Sequence, residues 1–383
     1  MIGYGKQSIS DADIAAVVDV LRSPYMTQGP KIAEFEQKLC AYTGAKYCVL
    51  VSNGTAALHI AVASLGLEKG SEGITTPITF TASANSMLYC GMTCRFADID
   101  PDTFCLSPVE AEKKITPDTR LLTPVHFAGR VCDMEAFAQL ARRYKLCVIE
   151  DAAHAIGSQY PCGAKVGSCK YSDLTIFSFH PVKTITTGEG GAVMTNDETL
   201  YRRLLLFRSH GITKDPAFLT QNPGPWYYEM QALGFNYRMT DFQAALGISQ
   251  MERLEQFRQR RLEIVKIYNE AFRGVPHFQI PSEKNLDDLC FHLYAARIDY
   301  AACGTTRAEF MQKLREKGVG SQVHYIPVHL QPYYREHFGY KPGDMPNAEA
   351  FYEQELSLPL YPDLTEQDIQ TVIESVKECI KSV

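Results

Sequence analysis

Through about residue 200 the chain alternates short apolar runs with stretches whose apolar positions recur at helical spacing. The short runs fall at residues 49–51, 95–99, 121–125, 147–149, 175–179 and 192–195. Each is bounded by turn-forming residues and has the look of a strand buried on both faces. Ser10-Asp11-Ala12-Asp13 resembles a capping box, and Ile14, Val17, Val18 and Leu21 follow at helical intervals before Pro24. The alternation predicts an α/β fold, with a mainly parallel sheet covered by helices on both faces.

Beyond residue 200 the rhythm changes. Residues 213–235, with prolines and Trp226-Tyr227-Tyr228, read as a long loop near a site, since loops of that length are usually functional or disordered. From Asp241 one long helix is expected, with Leu246, Met251, Leu254, Ile264, Val265 and Tyr268 at roughly helical intervals. A strand over 291–298, a helix over 306–317 and a strand over 320–325 follow. A final helix is capped by Thr365-Glu366-Gln367-Asp368 and carries Ile369, Val372, Ile373 and Val376 on one face. At 383 residues the chain exceeds one compact core. Two unequal domains are expected, 1–240 and 241–383, with the long helix between them.

Lys183 is the residue on which the chemistry turns. It follows the apolar run Leu174 to Phe179 and precedes Gly188-Glu189-Gly190-Gly191, where glycines let the backbone approach a ligand. A partly desolvated amine at the mouth of a strand has a lowered pKa and can form a Schiff base with an aldehyde. Pyridoxal phosphate is the common biological aldehyde held this way. Three further segments suit that cofactor. Ser52-Asn53-Gly54-Thr55 opens an alanine-rich helix after an apolar strand, where free N–H groups and the helix dipole favour a phosphate; the same residues also suit an ordinary N-cap. Asp151 ends the run Leu146 to Glu150, in the crevice where open α/β sheets bind ligands, and can pair with a protonated pyridine nitrogen. His154, three residues on, is within reach of the same ring; a capping Asp and a packed His are the plainer reading of that pair. Phe80, among small polar residues after a strand, can stack on a flat cofactor or serve as core.

Taken with Thr27-Gln28-Gly29, Phe177-Ser178-Phe179, Gly234-Phe235-Asn236-Tyr237-Arg238-Met239 and Val323-His324-Tyr325, these runs give the whole chain a clear likeness. It resembles the sugar-nucleotide aminotransferases of the DegT/DnrJ/EryC1/StrS type. That resemblance implies an aspartate aminotransferase-like fold, with a large, mainly parallel seven-stranded sheet domain and a small α+β C-terminal domain. It implies pyridoxal 5'-phosphate as cofactor and Lys183 as the catalytic lysine that binds it. It matches Asp151 to the pyridinium partner, His154 to the neighbour of the phenolic oxygen and Phe80 to the stacking ring. Gly54, Thr55 and Ser178 match phosphate-binding positions. Asn236 matches a residue that reaches the neighbouring subunit's phosphate, so a homodimer with shared sites is implied. Tyr4, Tyr25, Met26, Thr27, Gln322, Val323, His324 and Tyr325 fall where the family holds its nucleotide sugar, with His329 a further contact. The run His180-Pro181-Val182-Lys183, with His126-Phe127-Ala128-Gly129-Arg130, is most similar to members that act in pseudaminic acid synthesis. For those, glutamate gives its amino group to the 4-keto carbon of a UDP-linked 4-keto-6-deoxy N-acetylhexosamine. Perosamine- and bacillosamine-type members share nearly all of these residues. Family members that are sugar 3-dehydratases carry histidine where Lys183 stands, and a non-catalytic sugar-nucleotide sensor would have lost Lys183 or Asp151.

Composition narrows the setting. With 38 basic against 44 acidic side chains the net charge is −6, so no basic stripe recruits nucleic acid. The 12 cysteines form no Cys-x-x-Cys pair and no Cys/His cluster with zinc spacing, so no metal is expected. The N-terminus lacks a targeting pattern, and no apolar run approaches the ~20 residues of a membrane helix. A cytoplasmic enzyme is the expectation.

Overall fold

A computed structural model describes residues 1–381. Helix α1 (Asp11–Arg22) starts at the expected box: Ser10 Oγ accepts the Asp13 N–H while Asp13 Oδ2 accepts the Ser10 N–H at 2.8 Å. Then come α2 (Pro30–Thr43), β1 (Tyr47–Val51), α3 (Gly54–Leu65), β2 (Glu72–Thr75), α4 (Ala82–Tyr89) and β3 (Thr93–Phe96). The alternation continues with α5 (Pro108–Lys113), β4 (Thr119–Thr123), α6 (Met134–Tyr144), β5 (Cys147–Asp151) and β6 (Leu174–Ser178). β7 (Gly191–Thr195) and α7 (Glu198–Arg208) close this part.

The seven strands form one sheet in the order β1-β7-β6-β5-β4-β2-β3. Only β7 runs against its neighbours; the β6-β5-β4-β2-β3 pairs are all parallel. The α/β expectation, with its mainly parallel seven-stranded sheet, is what the chain adopts. Because β7 is reversed, its first residue lies opposite the last residues of both neighbours: Gly191 faces Val51 on one side and Ser178 on the other. Parallel strands end on one edge of the sheet, so Val51, Ser178 and Asp151 are delivered together, the setting in which α/β sheets bind ligands.

The second half departs from the sequence reading in four places. Residues 213–235 are not structureless: β8 (Ile212–Thr213) pairs with β9 (Glu229–Met230) in a small hairpin with Trp226 and Leu233 exposed. The expected single long helix is two, α8 (Asp241–Met251) and α9 (Leu254–Phe272). The break falls at Arg253, whose guanidinium is held by the buried Asp13 carboxylate and the Ser8 carbonyl, pinning the kink against α1. The small sheet is β10 (Phe278–Gln279), β11 (Tyr294–Ile298) and β12 (Glu355–Leu358). β11 starts three residues later than expected, because the His292 N–H is given to the Ala128 carbonyl at 2.9 Å rather than to the ladder. Residues 320–325 form no strand; only Gln322 bridges to Ser357, and the His324 N–H turns to the carboxylate of Glu355 at 2.8 Å.

Helices α10 (Arg307–Glu316), α11 (Pro332–Phe338), α12 (Pro346–Gln354) and α13 (Glu366–Lys381) complete the chain, the last behind its expected Thr365/Asp368 box. Two apolar cores result. One is built on the large sheet, and the other unites α9, the small sheet, α10 and α13. Val328, Tyr334, Met345, Ala348 and Phe351 return to the first core, which a single cut at residue 240 does not provide for.

The sheet edge tolerates no side chain at Gly191, where a Cβ would lie 2.6 Å from the Asn53 carbonyl oxygen. Gly191→Ala should therefore force the β1 and β7 ends apart and cost about 1–3 kcal/mol, the range for overpacking. A denaturant midpoint equal to that of the unmodified protein would refute this reading of the edge.

Candidate active site

Helix α3 is capped by Asn53, whose side-chain oxygen accepts the Ala56 N–H at 2.8 Å and whose carbonyl accepts the Ala57 N–H. The Gly54 and Thr55 N–H groups stay at the helix mouth, where the helix itself offers no acceptor. Gly54 sits against β6: a Cβ there would lie 2.9 Å from the Ser178 Cβ. The N-terminus of α3 and the Ser178 hydroxyl thus share one cradle, and it is closed to any side chain larger than hydrogen. The cap and phosphate readings of this turn are compatible, because the cap uses N–H groups further along the helix.

Asp151 ends β5 with only 4 % of its surface exposed. Its Oδ2 accepts the Ser83 hydroxyl at 2.6 Å and its Oδ1 the Ala153 N–H at 3.1 Å. Burial raises its pKa, and those hydrogen bonds and the charge of Lys183 partly offset the rise. Among the described residues it has no ion-pair partner within 4.0 Å. A sealed carboxylate of this kind calls for a cationic ligand group.

Lys183 is half-buried, in the turn after β6. Burial of its amine lowers the pKa to about 8, with Asp151 opposing. Its Nζ lies 3.5 Å from the His292 Nε2. His292 and His154 have ring centroids 4.4 Å apart. The His154 Nδ1 accepts the Ala128 N–H at 3.2 Å, which leaves the proton on Nε2, 3.1 Å from the Tyr325 hydroxyl. Burial and the Lys183 charge push both imidazoles well below their usual range, so they stay neutral. Tyr325 also approaches Phe80, with centroids 6.4 Å apart, and Phe80 is 60 % exposed with its ring open to a flat ligand. Tyr4 packs on His324 at 5.3 Å.

Lys183, Asp151, His154, Gly54, Ser178, Phe80, Tyr4, His324 and Tyr325 therefore fall in one region. The remaining expected site residues make no hydrogen bond or ring contact with that group. The run Tyr25-Met26-Thr27 is exposed and tied to the start of α8: Asp241 accepts the Gly29 N–H at 2.8 Å and gives its own N–H to the Met26 carbonyl. Gln322 is exposed and Val323 half-buried on the approach to His324. His329 is fully buried, bonded through Nε2 to Glu349 at 3.0 Å, with no ring edge open to a substrate. It went with the 328–351 segment into the large core. Asn236 is exposed and bridges to Ser209; it caps no helix, since Thr240 and Gln243 box the start of α8. Its neighbour Tyr237 accepts the Ser52 N–H at 2.8 Å, but no hydrogen bond joins Asn236 to Gly54 or Thr55. Sequence reasoning missed Ser83 and His292. Ser83 is the second residue of α4, one small polar residue among several, and His292 hid inside an apparent strand.

The residues fit pyridoxal phosphate. A glycine-lined cradle at a helix N-terminus suits the phosphate, an unpaired buried carboxylate suits the ring nitrogen, and a desolvated amine suits the aldehyde. The model of the DegT/DnrJ/EryC1/StrS aminotransferase family matches residues 7–377. The chain belongs to that family. It is 40% identical over 379 residues to the spore coat polysaccharide biosynthesis protein SpsC of Bacillus subtilis, covering 99% of this chain and 97% of that protein. Among solved structures it is similar to Helicobacter pylori PseC, an aminotransferase involved in the biosynthesis of pseudaminic acid. There the TM-score is 0.92 with 32% identity, over 100% of both chains. Spr1654 of Streptococcus pneumoniae, solved in its PMP form, gives a TM-score of 0.91 at 32% identity, again over 100% of both chains.

The amine carries its own test. In cofactor-free protein, labelling of Lys183 by an amine-selective reagent should rise with a midpoint near pH 8, because the neutral amine is the nucleophile. Peptide mass spectrometry across a pH series reads this directly. A midpoint at the ordinary lysine value of 10.5 would mean the amine is not desolvated.

Proposed function

We propose that this sugar aminotransferase moves an amino group from glutamate to the 4-keto carbon of a UDP-linked 4-keto-6-deoxy N-acetylhexosamine. The product would be UDP-4-amino-4,6-dideoxy-N-acetyl-beta-L-altrosamine. The observation that carries the chemistry is the half-buried Lys183 amine beside the unpaired Asp151 carboxylate, both at the edge that holds the α3 N-terminus. The sugar is supported by the likeness to PseC along the whole chain.

The cofactor is pyridoxal phosphate. Gly54, Thr55 and Ser178 would hold its phosphate, Asp151 its ring nitrogen, Phe80 its ring face and His154 its phenolic oxygen. When bound, it supplies an aldehyde for amine exchange and an electron sink beside the reacting carbon. Every remaining task falls to side chains. The Lys183 amine, its pKa lowered by burial to about 8, takes a proton from the donor's α-carbon and later returns one to the sugar carbon. A base poised there is deprotonated often enough to accept and acidic enough to give back. The neutral His292 offers Nε2 to the amine and does not compete with it for charge. Asp151 keeps its negative charge against burial because Ser83 and the Ala153 N–H solvate it, and that charge holds the proton on the ring nitrogen. Tyr4, His324 and Tyr325 would meet the sugar; Tyr25, Met26, Thr27, Gln322 and Val323 would line the nucleotide's approach. A lysine at position 183 favours transamination over sugar 3-dehydration, since an imidazole cannot form the covalent link to the aldehyde.

Borohydride reduction of the cofactor-loaded enzyme should fix the cofactor on Lys183, and Lys183→Ala should abolish turnover. With glutamate and a panel of 4-keto sugar nucleotides, mass spectrometry should show amination of the UDP-linked N-acetylhexosamine. Preferred amination of a GDP-linked sugar would replace this substrate with a perosamine-type one. An adduct on another lysine would overturn the assignment of Lys183.

We further propose a two-fold homodimer in which Asn236 completes the partner's phosphate site. Its exposure in the single chain, with no helix to cap, supports this reading. Mixing Lys183→Ala subunits with Asn236→Asp subunits should place both lesions in one site of a mixed dimer and leave its other site intact. About a quarter of wild-type activity per total site should return on random mixing. No recovery, with mixed dimers confirmed by native mass spectrometry, would show that Asn236 serves its own subunit.

A further inference from the structure

Behind His324 stand two buried polar side chains that the transamination does not use. Glu355 and Ser357 are two apart on β12, so both project from the same face of the strand, and both are fully buried. The Glu355 Oε2 accepts the His324 backbone N–H at 2.8 Å. Its Oε1 is 2.6 Å from the Ser357 Oγ, which is 2.9 Å from the His324 Nδ1. The carboxylate, the hydroxyl and the ring form one unbranched chain. At its far end the His324 Nε2 makes no hydrogen bond within the described residues, and unlike the Nδ1 atoms of His292 and His329 it is not sealed from solvent. The ring packs between Tyr4 and Tyr325, at 5.3 and 5.0 Å, and feels the charge of Lys183.

We propose that Glu355 and Ser357 form a relay that sets which nitrogen of His324 carries the proton, and hence whether Nε2 presents a donor or an acceptor to the sugar. The logic is one of hydrogen-bond polarity. When Glu355 is ionised it can only accept, so the Ser357 hydroxyl donates to it, the Ser357 oxygen accepts from Nδ1–H, and Nε2 is a bare acceptor. When Glu355 is protonated it donates to the Ser357 oxygen, the Ser357 hydroxyl donates to Nδ1, and Nε2 carries the hydrogen. Passing from the second state to the first moves one proton at each link. Glu355 gives its proton to Ser357, Ser357 gives its own to Nδ1, and Nε2 releases one to the pocket. The sum is the loss of one proton, with no imidazolium formed. The role of the group opposite Nε2 rests on the sugar aminotransferase reading; the relay itself does not.

The charges around the relay fit this switching. Burial raises the Glu355 pKa to about 8 against the hydrogen bonds from Ser357 and the His324 N–H and the charge of Arg307, and holds the ring of His324 down to about 3 with help from Lys183. The ring therefore stays neutral while Glu355 titrates. The other titratable groups facing the relay are Tyr4 and Tyr325, whose pKa values burial raises, Tyr300, which senses Glu355, and His154 and His292, which sense His324 and are held neutral.

The test is nitrogen NMR of histidine-labelled, cofactor-loaded enzyme between pH 6 and 10, which reports tautomer directly. In wild type, His324 should pass from the Nε2–H form to the Nδ1–H form as pH rises. Glu355→Gln keeps the acceptor for the His324 N–H and turns its NH2 to Ser357, so it should lock the Nε2–H form at every pH. Ser357→Ala, which keeps Glu355 but cuts the chain, should remove the pH dependence even if the Gln variant folds poorly. Wild type and Glu355→Gln sharing one tautomer at every pH would overturn the relay. A parallel measurement reads its use. The KM for the keto sugar should change about fivefold across the wild-type transition, the size of one hydrogen bond made or missed, and should be flat in Glu355→Gln. A wild-type KM that ignores the tautomer switch would overturn the proposed contact with the sugar. If the tautomers behave as described but no 4-keto sugar is aminated, the aminotransferase substrate reading fails and the relay stands.

Discussion

A carboxylate sealed inside a protein without a fixed counter-charge is costly, and the architecture around Asp151 is arranged to keep one there. The backbone here is held on both sides of β5: Asp151 gives its N–H to the Pro124 carbonyl and accepts the His126 N–H on the β4 side, and the Ala152 N–H is given to the Ile176 carbonyl on the β6 side. The two carboxylate oxygens of Asp151 receive one hydroxyl and one N–H, enough to solvate the charge but not to neutralise it. The preceding residue shows the contrast. Glu150 points to the other face of the strand, where His126, Tyr160, Ser172 and Thr175 all bond to it. One strand end thus carries a satisfied acid that fastens the sheet and an unsatisfied one that waits for a cation. The difference follows from the two-residue period of a strand.

The same economy of charge governs the other side of the site. Three imidazoles, those of His154, His292 and His324, surround the Lys183 amine, and each is kept neutral by burial and by that amine. Neutral rings in a low-dielectric pocket act through their dipoles and hydrogen-bond polarity. A fixed positive charge in their place would depress the lysine further and compete for Asp151. The tautomer of His154 is dictated by the Ala128 N–H, and that of His324 by Ser357 and Glu355. The pocket is therefore specified by protons placed from behind, by groups that never touch a ligand.

The sheet, the α3 turn and the positions of Lys183 and Asp151 after their strands were legible because each depends on residues close in sequence. A buried strand announces itself by an apolar run, and a ligand-binding strand end by the small or charged residues that follow. The features that stayed hidden depend on partners far along the chain. Residues 320–325 have a strand's composition, yet the His324 N–H meets a carboxylate from residue 355 before it can meet a ladder. Phe291 to Leu293 look like the start of β11, yet the Ala128 carbonyl peels that segment away and carries His292 to Lys183. The break between α8 and α9 needs Arg253 to find Asp13 in the first helix. His329 misled because a histidine near site residues looks functional, whereas its Glu349 partner, twenty positions on, makes it part of the core.

These long-range contacts share a consequence. The large sheet supplies Lys183, Asp151, His154 and the α3 N-terminus, while His292, His324, Tyr325 and the Glu355–Ser357 pair come from the polypeptide that builds the second core or leads to it. The seam between the two is tight. A Cβ at Gly129 would lie 2.0 Å from the Cys290 carbonyl oxygen, and at Gly157 it would meet the Cys290 side chain at 3.1 Å. Both glycines have positive φ, so any other residue there would be strained as well as crowded. The 290–292 segment is thus clamped to the loops that follow β4 and β5 by contacts that leave little play, and His292 is set against Lys183 to the precision of those contacts. A shift of one ångström at this seam would leave the sheet intact and still separate the imidazole from the amine it serves.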